Sequence, residues 1–415
     1  MKNFFAMGPI VSSMLRNKTG AILVALQVAL CLAILVNAAY IVHLRLEVAA
    51  RPSGIADELT AFRVSISNQK LGGHEDQIAM QKREAAVIAA VPGVLAVARV
   101  DSLPTSRSGS SSGISADRSQ SNPTATAGIY LSSDSLVKTW DMKLVEGRDF
   151  QADDLMELDA SVSKDFPKTG IVSLSLARKL YPNTQNFVGK EFYIGTGQGA
   201  NALRIVGVVE TLQTPSAQAG EKGEYAVLVP VRLSNYAFFA YSVKTAAGQR
   251  DRVMKDVDFA LRKSTSDPIN VNLRSVEEMR VDRYRAERGL AWMLLTVSVL
   301  LVIVMLSGIV GMCSLWVAQR RKMIGVRRAL GAQRSDILIY FMSENCLITT
   351  IGIGLGVLCA LGLNQVLIAQ FELPKLPMSY LVIAPLLFWP LGLAAVLAPA
   401  WRAANTAPSI ATRSV

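Results

Sequence analysis

Stretches without a single charged residue organise this chain more strongly than any helical or strand period. Residues 19–44, 289–319, 345–371 and 376–401 contain no Asp, Glu, Lys or Arg. A helix rises ~1.5 Å per residue and needs roughly 20 apolar residues to cross a hydrocarbon core of ~30 Å, so each stretch predicts a transmembrane helix. Between the first and second the pattern changes to short segments with charges throughout. Phe62–Ile66 alternates and predicts a strand, 75–90 predicts a helix ended by Pro92-Gly93, and Val94–Val100 predicts another strand. Further strands are expected near 127–132, 191–195, 203–209, 225–230 and 238–244, with helices near 173–181 and 249–263. The Ser-rich stretch from Pro104 to Asn122 reads as a mobile loop or an insertion. Val276–Arg288 predicts a continuous helical stalk running into the second span.

The expected fold class is an α-helical membrane protein with four transmembrane helices and a large α+β extracytoplasmic domain inserted between the first and second. Its expected divisions are a cytoplasmic tail (1–18), spans at 19–44, 289–319, 337–371 and 376–401, the domain at 45–288, a cytoplasmic segment at 320–336 and a C-terminal tail at 402–415. Within the domain two lobes are expected, an outer one around 130–235 and one beside the membrane built from both ends of the insertion. The first apolar run, 20–42, is longer than the ~7–15 residues of a signal-peptide core, so it reads as a retained anchor despite the cleavage-like Asn37-Ala38-Ala39.

Composition agrees: 415 residues, 51% hydrophobic, 18% charged, net charge +11. Spread over a soluble protein that charge would suggest nucleic acid as a partner, but residues 45–288 carry only +2 of it. The rest lies almost wholly beside the spans, in Lys2, Arg16 and Lys18, in Arg320, Arg321, Lys322, Arg327, Arg328 and Arg334 against Asp336, and in Arg402 and Arg413. Short Lys/Arg-rich segments stay in the cytoplasm, which places both termini and 320–336 inside and 45–288 with the Glu372–Ser379 turn outside. Setting topology and touching anionic lipid is the simplest role for such a segment. All four cysteines, Cys31, Cys313, Cys346 and Cys359, fall in or beside spans, so the outer domain is held by its core alone.

Candidate chemistry is sparse. Gly109-Ser110-Ser111-Ser112-Gly113 matches a nucleophile-elbow pattern but lies in low-complexity sequence, without the strand-to-helix turn that motif needs. His43 and His74 have no second ligand at metal spacing. Asp149, Asp153, Asp154, Glu157 and Asp159 lack a calcium-loop pattern and read as a solvated helix start. Gly195, Gly197 and Gly199 read as a hairpin turn, and no phosphate-binding loop of the G-x-x-x-x-G-K-[ST] type occurs. The informative positions are in the membrane. Gly352, Gly356 and Ala360 recur every four residues and form a seam open to close helix approach. Glu344 lies within the third hydrophobic segment, where a carboxylate needs a partner, a water-filled cleft or a path for snorkelling to the headgroups. Pro385, Pro390 and Pro399 predict kinks in the fourth span.

The segment Arg320-Arg321-Lys322-Met323-Ile324-Gly325-Val326-Arg327-Arg328-Ala329-Leu330-Gly331-Ala332, continuing through Asp336-Ile337, resembles the cytoplasmic signature of MacB/FtsX-like ABC-transporter permeases. Phe341-Met342-Ser343-Glu344 is similar to the Q-F-L-x-E that follows it in that family, and Gly147-Arg148-Asp149-Phe150, Val188-Gly189-Lys190, Arg204–Val209 and Pro399–Ala404 resemble further family segments. The resemblance implies a permease subunit that binds no cofactor itself and works over two copies of an ABC ATPase carrying ATP and Mg²⁺. Residues 320–332 would be the segment on which the ATPase acts, with Gly325 and Gly331 allowing tight backbone approach. It further implies a bacterial inner-membrane location, a second permease, a periplasmic adaptor, contact with membrane lipid and no nucleic acid. ATP-driven closure would be transmitted to the outer domain, driving export of a peptide or antibiotic. The alternatives within the family are an FtsX-like regulator of a periplasmic effector and a lipoprotein-releasing permease. Gln319 and Met323 stand where the family usually has acids, which favours a heterodimer over a homodimer.

Overall fold

The first charge-free stretch lies inside one helix, α1 (Lys18–Ala50), whose 33 residues extend ~50 Å. A computed structural model describes residues 18–68, 72–104, 106, 108–216, 220–236, 239–371 and 374–405; Lys2, Arg16, Glu372 and Arg413 lie outside the described residues. The chain divides into one unit holding the residues up to Leu46 together with those from Glu287 onward, and a second unit, Glu47–Ala286.

In chain order the second unit contains β1 (Ala61–Asn68), α2 (His74–Ala89), β2 (Val94–Val100), β3 (Ser110–Ser115), β4 (Ala125–Ser132), α3 (Leu136–Thr139), β5 (Leu144–Gly147), β6 (Met156–Asp159) and β7 (Thr169–Ser173). It continues with α4 (Leu174–Leu180), β8 (Glu191–Ile194), β9 (Asn201–Val209), β10 (Ala226–Ser234), β11 (Ala240–Thr245), α5 (Arg250–Ser264), β12 (Ile269–Ser275) and α6 (Val276–Arg283). Two lobes result. In one, β12-β1-β11-β2 form an antiparallel sheet drawn from both ends of the insertion. Val253, Val257 and Leu261 recur every four residues on α5 and bury against Phe62, Val64 and Val243, together with Ile88 of α2.

In the other lobe the pairings β4-β3-β8-β9-β7-β10 return to their start because β10 also pairs with β4, closing a six-stranded barrel. Closure removes unpaired strand edges, which suits a domain held without disulfides. Strand β10 serves two cores. Val227, Val229 and Val231 join Ile114, Phe192 and Leu203, while Ala226 and Leu228 turn to Tyr130, Leu136 and Trp140. That two-sided burial is why the strand reads as an unbroken apolar run instead of an alternation.

The structure departs from the sequence expectations in the Ser-rich stretch. Ser110–Ser115 is strand β3, paired with β4 on one side and β8 on the other. Two glycines of the stretch stand against prolines. A Cβ on Gly109 would meet Pro215 at 2.5 Å, and one on Gly113 would meet Pro123 at 2.8 Å. The expected helix start at the acidic run is a three-residue 3-10 turn, Ala152–Asp154, in which Asp154 accepts the Gln151 amide at 2.8 Å. The Gly195–Gly199 turn does join the antiparallel pair β8 and β9.

The expected stalk is not continuous either. α6 stops at Arg283, Tyr284 takes φ −97° and ψ 9°, and a new helix, α7 (Arg285–Gln319), begins. The Tyr284 side chain is fully buried and its hydroxyl accepts from Gln213 Nε2 at 2.8 Å, which holds the break in place. Arg280 of α6 is fixed by Glu58 at 2.5 Å and by the carbonyls of Ala49 and Arg51.

The remaining helices are α8 (Arg321–Ala329), α9 (Arg334–Phe371) and α10 (Met378–Ala404). Among the described residues α1, α7, α9 and α10 are four helices long and apolar enough to cross a membrane. α10 runs as one helix through Pro385, Pro390 and Pro399.

Asp101 follows β2, 4% exposed, and accepts the Leu131 amide at 2.8 Å. Burial pushes its carboxyl up to about 7 in spite of the hydrogen bonds it accepts. A raised folded-state value binds a proton that the unfolded chain releases near its ordinary carboxylate range. Stability from this group is therefore full below about pH 4 and declines until about pH 7, by about 4 kcal/mol in all. Thermal unfolding of the outer domain in the full chain is expected to show this decline. The Asp101→Asn variant should flatten it.

Candidate functional site

Residues 320–332 form a short helix bounded on both sides. Arg320 interrupts the path from α7 to α8 with φ −97° and ψ 9°. At the far end Gly331 takes φ +96°, its amide donates to Arg328 O at 3.1 Å, and the Ala332 amide donates to Arg327 O at 3.0 Å. These two bonds are a Schellman cap, and the left-handed φ is what glycine supplies there. A Cβ at Gly331 would meet nothing within 4 Å inside this chain, so within the chain the glycine serves the backbone conformation of the cap. Asp336 then accepts the Gln333 amide at 2.8 Å and starts α9.

The inner face of α8 buries Ile324 and Gly325. Its position is fixed by three arginines. Arg320 forks onto Glu344 with Nη1 to Oε2 at 2.6 Å and Nη2 to Oε1 at 3.0 Å. The Glu344 side chain is 3% exposed and that of Arg320 12%, so this is a buried, bidentate pair. Of the alternatives for Glu344, the structure supplies a partner. Arg328 donates to the Ala404 carbonyl at the end of α10 at 3.1 Å, where the helix dipole favours a cation. The Arg327 guanidinium lies 5.1 Å from the Tyr340 ring centroid. The outer face of α8 shows Arg321 and Lys322 to solvent beside three apolar residues, Met323 at 39%, Val326 at 52% and Leu330 at 84% exposure. Ala329 is also exposed and Ala332 half-buried.

The small-residue seam of α9 packs on α1. A Cβ on Gly352 would lie 2.8 Å from Ala25 O, and one on Gly356 3.0 Å from Ala29 O. Ala360 is fully buried, and its carbonyl accepts from Asn37 Nδ2 at 3.1 Å. Asn37 Oδ1 in turn accepts from Asn364 at 3.3 Å, and Asn364 accepts the Leu376 amide at 3.2 Å. Sequence reasoning missed this polar chain, although Asn364 continues the same four-residue spacing as Gly352, Gly356 and Ala360. On its other side α9 meets α10, where Asn345 Nδ2 donates to Gly392 O at 3.0 Å.

The remaining chemical candidates are not brought together. Asp149 accepts from the Ser135 hydroxyl, Asp154 pairs with Arg148 at 2.6 Å, and hydrogen bonds from Ser161 and Asn235 hold the Asp159 carboxyl down to about 2. Ser111 sits mid-strand opposite Gly128 instead of at a strand-to-helix turn. Among the described residues no three His, Cys, Asp or Glu side chains cluster as metal ligands.

Removing one member of the buried pair leaves the other as an isolated charge, so Arg320→Met is expected to destabilise the membrane unit by ~3–5 kcal/mol. Restoring neutrality with Arg320→Met plus Glu344→Leu should recover most of that loss, as read by denaturant titration in a double-mutant cycle. Gly356→Val should cost ~1–3 kcal/mol through overpacking against α1.

A model of the MacB-like periplasmic core domain matches residues 28–274, and one of the FtsX-like permease C-terminal region matches 295–408. The chain is 26% identical over 237 residues to the macrolide export ATP-binding/permease protein MacB of Acinetobacter baylyi, covering 54% of this chain and 33% of that protein. The protein of the same name from Syntrophobacter fumaroxidans is 25% identical over 190 residues, 45% of this chain and 26% of that protein. The chain thus spans a third or less of the length of these curated relatives. A crystallised domain of a protein described as a permease from Porphyromonas gingivalis covers 52% of this chain and 91% of its own at 16% identity, with a TM-score of 0.32. With the core-domain model matching more than half of its residues and the permease model following in order, the chain belongs to the family of permeases with a MacB-like periplasmic core domain and an FtsX-like permease region.

Proposed function

We propose that this chain is the membrane-spanning subunit of an ABC system in which ATPase subunits on separate chains dock on α8 and drive changes in the periplasmic domain. The observation that carries this reading is the outward face of α8, where Met323, Val326 and Leu330 are exposed between basic residues while the opposite face is buried. An apolar stripe in a short helix, rigidly fixed at its base by Arg320–Glu344, suits transmission of a push from a docked partner into α7 and α9. Two ATPase copies would carry the ATP and Mg²⁺, and this chain would bind no cofactor. Met323 in place of an acid makes the docking face more apolar than the family pattern, which supports pairing with a second, different permease. α7, with Trp292, Leu295, Val299 and Ile303 exposed, offers the apolar surface for lipid or for that second permease. The substrate class proposed is a peptide or antibiotic exported with a periplasmic adaptor, by analogy with the macrolide export named for the relatives. The location proposed is the bacterial inner membrane with both termini cytoplasmic.

Val326→Asp and Leu330→Asp place charges on the docking face without touching the Arg320–Glu344 pair. ATPase stimulation by the reconstituted permease is expected to fall at least ~10-fold while insertion is unchanged. Unaltered stimulation would count against α8 as the docking element. For topology, Ser111→Cys and Gln333→Cys are both at exposed positions. A membrane-impermeant thiol reagent applied from the periplasmic side should label the first and spare the second.

A further inference from the structure

Strands β1 and β12 bring two like charges face to face, with Arg63 directly opposite Arg274. That arrangement destabilises a strand pair unless something of opposite sign lies between or beside the two. Both arginines line a hollow of about 490 Å³ together with Arg283, Arg285, Asp282 and Met279. Four guanidinium groups therefore meet a single carboxylate in the lining. Asp282 is already engaged, hydrogen-bonding Arg274 and also Arg285 at 2.6 Å. Arg283 donates to Ser216 O at 2.6 Å. Among the described residues Arg63 forms no ion pair, and its Nε is buried without a hydrogen-bond partner. Burial and the facing Arg274 charge pull the Arg63 pKa below its ordinary value.

We propose that this hollow binds a phosphate-class anion, held by Arg63 and Arg274 with Arg283 and Arg285 at its rim. A tetrahedral phosphate offers several acceptor oxygens to forked guanidinium donors, and its charge relieves the repulsion across the strand pair. The headgroup of an anionic phospholipid is the favoured source. Arg285 is the first residue of α7, and the charge-free stretch of that same helix begins at Gly289, ~6 Å further along the axis. A pocket arginine one helical turn ahead of a hydrocarbon-crossing stretch in sequence is the position that pairs with an anionic lipid headgroup. A soluble phosphate ester presents the same oxygens, so the two sources are separated by the test.

The full chain is placed in nanodiscs of phosphatidylcholine, alone or doped with phosphatidylglycerol, and retained lipid is read by native mass spectrometry after detergent release. Thermal unfolding is followed in parallel, with inorganic phosphate titrated into the phosphatidylcholine discs. Wild type is expected to retain phosphatidylglycerol selectively, and Arg63→Gln with Arg274→Gln to lose that selectivity roughly tenfold. In phosphatidylcholine alone the same variant should unfold no earlier than wild type, because the facing charges are gone. Asp282→Asn should act in the opposite direction, strengthening the response to added anion. Protection by inorganic phosphate without phosphatidylglycerol selectivity supports the anion site with a soluble source. Wild type, the double variant and Asp282→Asn responding alike to both additions overturns the proposal.

Discussion

The membrane unit depends on one buried ion pair. A carboxylate inside a hydrocarbon-bounded helix cannot stand alone, and Glu344 obtains its countercharge from Arg320, the residue at which the chain leaves α7. The pair thereby sets where α7 ends, how far α9 extends beyond it and where α8 begins. The rest of the unit is arranged around that corner: Ile324 and Gly325 are buried behind it, and Arg328 reaches the end of α10. Further along α9, bare glycine backbone against α1 gives way to the amide chain of Asn37 and Asn364. Dispersion and interhelical hydrogen bonds thus share the length of one helix, which is the expected division of labour where lipid supplies no hydrophobic drive between helices.

The four spans were legible in the sequence because exclusion of charge from hydrocarbon is nearly absolute, so an absence of four residue types suffices to mark them. The outer strands were less so. β5 and β6 have four residues each, too few for a period to declare itself. β3 is written in Ser and Gly, without the apolar alternation that marks a strand, and the proline against Gly113 is a tertiary contact with no local signature. The break at Tyr284 was hidden for a similar reason: the flanking residues are good helix formers, and what interrupts them is a buried hydroxyl meeting Gln213.

The partner of Glu344 was within reach. The second charge-free stretch ends at Gln319 and the third begins at Asn345, so Arg320 and Glu344 are the first charges beyond two hydrophobic runs that meet the same interface. Equal depth and opposite sign on adjacent antiparallel helices amount to a pairing rule, one that reading each segment separately does not apply. The exposed apolar stripe of α8 lay on the other side of legibility. Met323, Val326 and Leu330 have helical spacing, but only the placement of Ile324 inward tells which apolar face is left outside.

The order of strands also bears on how such a protein comes into being. β1, the first strand made, lies between β11 and β12, the last two, and β4 waits for β10 before the barrel closes. Nearly the whole segment between α1 and α7 must therefore reach the far side of the membrane before either lobe has its full set of neighbours. Contacts so distant along the chain form slowly. During translocation the early strands travel as unpaired edges, exposed to whatever else is nearby, and they are protected only once the far end of the insertion has followed them across.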